Sequence, residues 1–261
     1  MSLPVLFLHG WAMRGDLFEE VTRRLGPGFD CHAPDLPGHG SRADQPGGLE
    51  ACVDLACDWI SRLDRPLVIG WSMGAGVAWR SIARRGTAGI RGLVTIDMSP
   101  RMLPANDWDM GMIASGAEAI LATSDKIIPE WPRMSGSIAR TMYARTSDPR
   151  PSREAIEEML LAQDPRHLRP VWDDLVAMDV RDTIADIYVP YLVCTGADSR
   201  LYREDVAQWI AAEAPQAQVA RFAQSGHSPH LEQPEVFCDA ICRFVAAQGW
   251  VSHIPEQEGQ T

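Results

Sequence analysis

Residues 67 to 76 read Leu-Val-Ile-Gly-Trp-Ser-Met-Gly-Ala-Gly, a short apolar run that ends in Gly-x-Ser-x-Gly and continues into a helical stretch from Val77 to Ala83. The apolar run asks for burial on both faces, as a strand inside a parallel sheet has. The glycines on either side of Ser72 let strand and helix approach across a sharp reversal, which holds the serine in strained backbone with its hydroxyl exposed. Ser72 is therefore the candidate nucleophile. Reading it as only a helix N-cap leaves the flanking glycines without a purpose.

A serine hydroxyl is a poor nucleophile until a base takes its proton. Tyr191 to Asp198 is a second buried-strand pattern, ending in an acid, and Phe222 to Pro229 sets His227 on a loop before the last helical stretch. Ser72, Asp198 and His227 thus follow one another as nucleophile, acid and base, and make the expected triad. Asp97 is the alternative acid: it closes the strand pattern from Gly92 to Ile96, and geometry rather than sequence position defines the role. His230 is the alternative base, otherwise a surface or supporting residue, while His9 and His39 in glycine-rich loops read as structural hydrogen-bonding residues. The oxyanion of an acyl transfer needs preorganised donors. The backbone N–H of Met73, after the nucleophile, is one; the strand from Pro4 to Leu8 ends in His-Gly and points to the N–H of Trp11 as the other.

His-Gly-Trp at 9 to 11, Asp-Leu-Pro-Gly-His-Gly-Ser at 35 to 41, Gly-Trp-Ser-Met-Gly at 70 to 74, Gly-Ala-Asp at 196 to 198 and Gly-His-Ser-Pro at 226 to 229 together resemble the α/β-hydrolase superfamily, from about Leu3 to Ala247. The pairing of His-Gly-Trp with Gly-Trp-Ser-Met-Gly is similar to the pimeloyl-acyl-carrier-protein methyl ester esterases of biotin synthesis. That resemblance implies cleavage of a methyl ester from a carrier-bound acyl chain, with the tryptophan of His-Gly-Trp and the residue after the serine as oxyanion donors. It also implies arginines on a helical cap that meet an acidic carrier protein. Arg133, Arg140, Arg145, Arg150 and Arg153, with only Asp148 among them, stand out against a net charge of −11; the alternative reading is a solvated helix face.

The fold expected is α/β: an α/β-hydrolase fold with a mostly parallel sheet, helices on both faces and a helical cap. Strands are read at Val5 to Leu8, Phe29 to Ala33, Leu67 to Ile69, Leu93 to Ile96, Tyr191 to Cys194 and Val219 to Phe222, and the family's first two strands are expected to be absent. Residues 1–98 and 181–250 form the core, 99–180 the cap and 251–261 a flexible tail. Within the cap, Glu118 to Thr123 is weakly helical. Ser152 can N-cap a helix burying Ile156, Met159 and Leu160, and Asp164-Pro165 opens another with Leu168, Trp172, Leu175 and Val176 on one face. The substrate pocket is expected to draw on Trp71, Trp108 and Met110, with Trp11 and Met112 near it.

The acidic balance argues against nucleic acid and anionic membranes, and the first residues supply a strand rather than a leader or membrane span. Six cysteines at 31, 52, 57, 194, 238 and 242 are scattered without metal-site pairs, as buried thiols of a cytoplasmic protein would be. No metal or cofactor is called for. The strand around Cys31 would form a sheet edge, and a homodimer through it is one expectation. The function expected is hydrolysis of a carboxylic ester on a small molecule, carrier-bound or short, through an acyl-enzyme. A thioesterase, lactonase or carbon–carbon hydrolase, or a non-hydrolytic ligand-binding member of the same fold, is the alternative.

Overall fold

The computed structural model describes residues 2–45, 47–113 and 116–251; the tail from 252 lies outside the described residues. Six strands, β1 (Leu3–Leu8), β2 (Phe29–His32), β3 (Leu67–Trp71), β4 (Gly92–Ile96), β5 (Tyr191–Gly196) and β6 (Ala217–Phe222), form one sheet in the order β2-β1-β3-β4-β5-β6. Every pairing is parallel. Because successive side chains on a strand alternate faces, β1 sends Val5 and Phe7 to one layer and Leu6 and Leu8 to the other, and β3 likewise divides Leu67, Ile69 and Trp71 from Val68.

The first layer is closed by α1 (Glu19–Leu25), and the second by α2 (Gly48–Arg62) and α3 (Met73–Arg85). Between β4 and β5 the chain leaves the sheet and builds α4 (Ala117–Lys126), α5 (Trp131–Thr141), α6 (Arg153–Leu161), α7 (Pro165–Ala177) and the single turn α8 (Arg181–Ile184). Then α9 (Glu204–Glu213) joins α2 and α3, α10 (Pro229–Glu232) follows β6, and α11 (Pro234–Ala247) packs beside α1. The caps read from sequence form: Ser152 Oγ accepts the Ala155 N–H, and the Asp164 carboxylate accepts that of Arg166, with Pro165 opening α7. The weak stretch at Glu118 to Thr123 lies inside α4, whereas α5 was not anticipated.

The carboxyl ends of the central strands lie side by side. Trp71 is in register with Ile96, and Ile96 with Cys194. The ladder runs one residue further, with Ser72 N–H donating to Ile96 O and Asp97 N–H to Cys194 O, each at 2.9 Å. Residues 72, 97 and 195 therefore form a row across the sheet's edge, where open α/β sheets place their ligands.

Candidate active site

Ser72 sits between β3 and α3 with φ +52° and ψ −117°, a left-handed conformation that non-glycine residues rarely adopt. Two glycines make the turn possible. A Cβ on Gly74 would collide with the Leu8 carbonyl of β1, and one on Gly70 with the backbone of Gly74 and Ala75. Met73 opens α3, so its N–H has no acceptor within the helix. Across the site, Gly10 approaches so closely that an added Cβ would lie 3.5 Å from Ser72 Cβ. Among the described residues no hydrogen bond takes up the Trp11 N–H. The loop carrying it is clamped by His9, whose Nε2 accepts the Leu36 N–H at 2.9 Å, so that Nδ1 donates to Gly10 O at 2.8 Å. Burial pushes His9 down to about 4, which keeps the neutral form this clamp requires.

His227 is buried, and its loop is held from several directions. Trp71 Nε1 donates to His227 O at 2.9 Å, and Ser228 Oγ to Met142 O at 3.0 Å. The Glu232 carboxylate accepts the N–H groups of Gly226 at 2.8 Å and Ser228 at 3.3 Å, one on each side of His227, and that of Ala144 at 2.7 Å. Burial is the largest influence on Glu232 and raises its pKa above the usual carboxylate value, although all three backbone donors favour the ion.

The acid against the imidazole is Asp97, with Oδ2 2.7 Å from His227 Nδ1. This corrects the expectation of Asp198. Asp97 continues β4 directly beside Ser72, with φ +46° turning it toward His227, and is buried; Asp198 lies beyond the end of β5 and is exposed. The Asp97 carboxylate also accepts Thr195 Oγ1–H at 3.3 Å and Ser199 Oγ–H at 2.6 Å. His230 is buried apart from this pair. It stacks on Phe18 at 4.8 Å and meets the Trp71 ring edge-on at 4.6 Å, and among the described residues neither of its nitrogens has a hydrogen-bond partner.

Ser72 and His227 open onto a cavity of about 270 Å³. Met13, Met73, Met98, Met102, Met112, Met134 and Met142 line it, with Trp11, Trp71 and Trp172; α4 and α5 add Thr123, Ser137 and Thr141. Among the described lining residues none is an aspartate, glutamate, lysine or arginine. Two expected pocket residues lie elsewhere. Trp108 packs on Trp209 at 4.8 Å under the Arg181 guanidinium and donates from Nε1 to Arg101 O, and Met110 packs against the second layer. Trp71 does line the cavity, as do Trp11 and Met112, whereas no helical period marks which residues of the irregular stretch around Trp108 turn inward. Trp11 ties the site to the helices above it: its Nε1–H donates to Leu168 O at 2.9 Å, and its ring lies 5.0 Å from that of Trp172 and 5.8 Å from that of Trp131.

The arginine group divides. Arg153 is bound into the chain, donating to Ala144 O and Ser147 O, whereas Arg133, Arg140, Arg145 and Arg150 are exposed. Among the described residues there is no cluster suited to a metal ion, and no helix is long and apolar enough to cross a membrane.

Residues 5–240 match the model of the alpha/beta hydrolase family. A pimeloyl-acyl-carrier-protein methyl ester esterase of Chromobacterium violaceum is 27% identical over 247 residues, covering 94% of each chain. One of Xanthomonas axonopodis pv. citri is 29% identical, covering 93% of this chain and 95% of its own. Among solved structures, an esterase from Exiguobacterium antarcticum superposes with a TM-score of 0.85 at 20% identity, covering 94% of this chain and 92% of its own. A bromoperoxidase from Bacillus anthracis superposes with 0.86 at 18%, with the same coverage. At such identities these likenesses speak for the fold alone.

Proposed function

From the premise that the chain belongs to the alpha/beta hydrolase family, we propose that it is a carboxylic ester hydrolase working through an acyl-enzyme on Ser72, with His227 as base and Asp97 as its acid. The observation that carries this reading is the buried 2.7 Å contact between Asp97 and His227 Nδ1 beside the strained Ser72 turn. With Nδ1–H donated to the carboxylate, His227 Nε2 is the nitrogen left to accept the Ser72 proton. Ser72 Oγ then attacks the ester carbonyl, and the oxyanion takes the N–H groups of Met73 and Trp11, each such donor being worth about a hundredfold or more in rate. His227 returns the proton to the departing alkoxide, the alcohol leaves, and water repeats the sequence on the acyl-enzyme.

The cavity selects an uncharged group, since no lining charge could compensate a buried ion. The substrate we assign is a methyl ester at the far end of an acyl chain whose other end remains outside, on an acyl carrier protein. The relatives' names and the exposed Arg133, Arg140, Arg145 and Arg150 support it. The test is kcat/KM on p-nitrophenyl esters from acetate to decanoate, beside a carrier-bound dicarboxylic methyl ester, a thioester and a lactone, for wild type and Ser72→Ala. Preference for the carrier-bound ester, lost in the variant, is the expected result. Good turnover of short esters without a carrier effect leaves a general carboxylesterase, and faster thioester or lactone cleavage displaces the ester reading.

A further inference from the structure

The turn after β5 reaches the acid–base pair through Ser199 rather than Asp198. Ser199 Oγ lies 3.3 Å from the backbone nitrogens of Leu201 and Tyr202, both donating to it. Its lone pairs are thereby occupied, and its own proton is directed to Asp97 Oδ2 at 2.6 Å. That same Oδ2 accepts from His227 Nδ1 at 2.7 Å. Among the described residues Oδ1 meets only the longer donation from Thr195 at 3.3 Å. Of the three donors, Ser199 is the one whose proton direction is fixed by the backbone and whose contact falls on the oxygen that His227 uses.

We propose that Ser199 is a positioning residue that holds Asp97 Oδ2 against His227. The inference rests on the Ser72–His227–Asp97 reading above.

The experiment compares wild type, Ser199→Ala, Ser199→Thr and Asp97→Ser, using ester kinetics and the low-field proton resonance of His227 Nδ1–H recorded without substrate. Ser199→Ala should lower kcat about tenfold with KM within about twofold, as expected when a reacting group loses its alignment rather than its binding contacts. Its Nδ1–H resonance should broaden or move upfield, and Ser199→Thr, which keeps the hydroxyl, should recover most of both. Wild-type kcat and an unchanged resonance in Ser199→Ala overturn the positioning role. Asp97→Ser at the wild-type rate overturns the parent reading and this proposal with it, whereas the resonance reports the Ser199 contact whatever ester proves to be the substrate.

Discussion

Two aspartates end apolar strands in this chain, and the residue-scale question is which one the imidazole meets. Asp97→Asn should lower kcat by about ten-thousand-fold through loss of the Nδ1–H tautomer, whereas Asp198→Asn should stay within about twofold, its exposed carboxylate having no part in the pair. Steady-state kinetics on any accepted ester decides between them, and the opposite ranking would restore Asp198. The strained Ser72 turn was legible in the sequence because it demands glycines at fixed offsets, and the His227 loop because a histidine follows a glycine at the end of the last strand pattern. The carboxylate that meets His227 was not, because its identity depends on register. The pairing of Trp71 with Ile96 sets Asp97 beside the serine, and that of Ile96 with Cys194 shows that Asp198 has already passed the sheet's edge.

At the scale of elements, the strands could be read because each is an unbroken apolar run, and α6 and α7 because a cap precedes an apolar stripe. α5 leaves no such trace. Ser135, Gly136 and Ser137 occupy its middle, and its buried face consists of Trp131, Ser135, Gly136 and Ala139. Small residues there serve close approach to α6: a Cβ on Gly136 would lie 2.8 Å from Glu157 Oε1. The packing partner, not local propensity, makes the helix. The loop of His227 depends in the same way on α10. Glu232→Ala would orphan three backbone N–H groups, a loss of about 1–3 kcal/mol for each that finds no water. Thermal unfolding should show a clear fall in Tm together with reduced kcat; an unchanged Tm would mean that the carboxylate is dispensable to the loop. Gly74→Ala, whose Cβ would meet the Leu8 carbonyl, should be destabilised by about 1–3 kcal/mol or more in denaturant titration.

For the whole molecule, three buried histidines govern the response to acid. Burial pushes His9 to about 4, and His39 and His230 to about 3, against an ordinary 6.5. Between those values the unfolded chain binds protons that the folded chain refuses. Stability is therefore fully present above about pH 6.5 and falls with decreasing pH, at up to about 1.4 kcal/mol per pH unit for each histidine. His230 has no hydrogen bond to lose and stacks on Phe18 in an apolar cage. Hence His230→Phe should unfold at lower pH, with stability near neutrality retained, in a circular-dichroism pH titration; acid sensitivity equal to wild type would show that the other groups dominate.

The tie between Trp11 and the helices above the site also has an optical consequence. Three indoles, Trp11, Trp131 and Trp172, meet in one cluster that joins the loop after β1 to α5 and α7. Rings at such separations couple their electronic transitions, so the near-ultraviolet circular dichroism of the unlabelled protein carries a signal that depends on how the helical layer is seated. A ligand that shifts that layer would change the spectrum and the placement of the Trp11 amide together, and the chain thus contains its own reporter of how the loop beside Ser72 is seated.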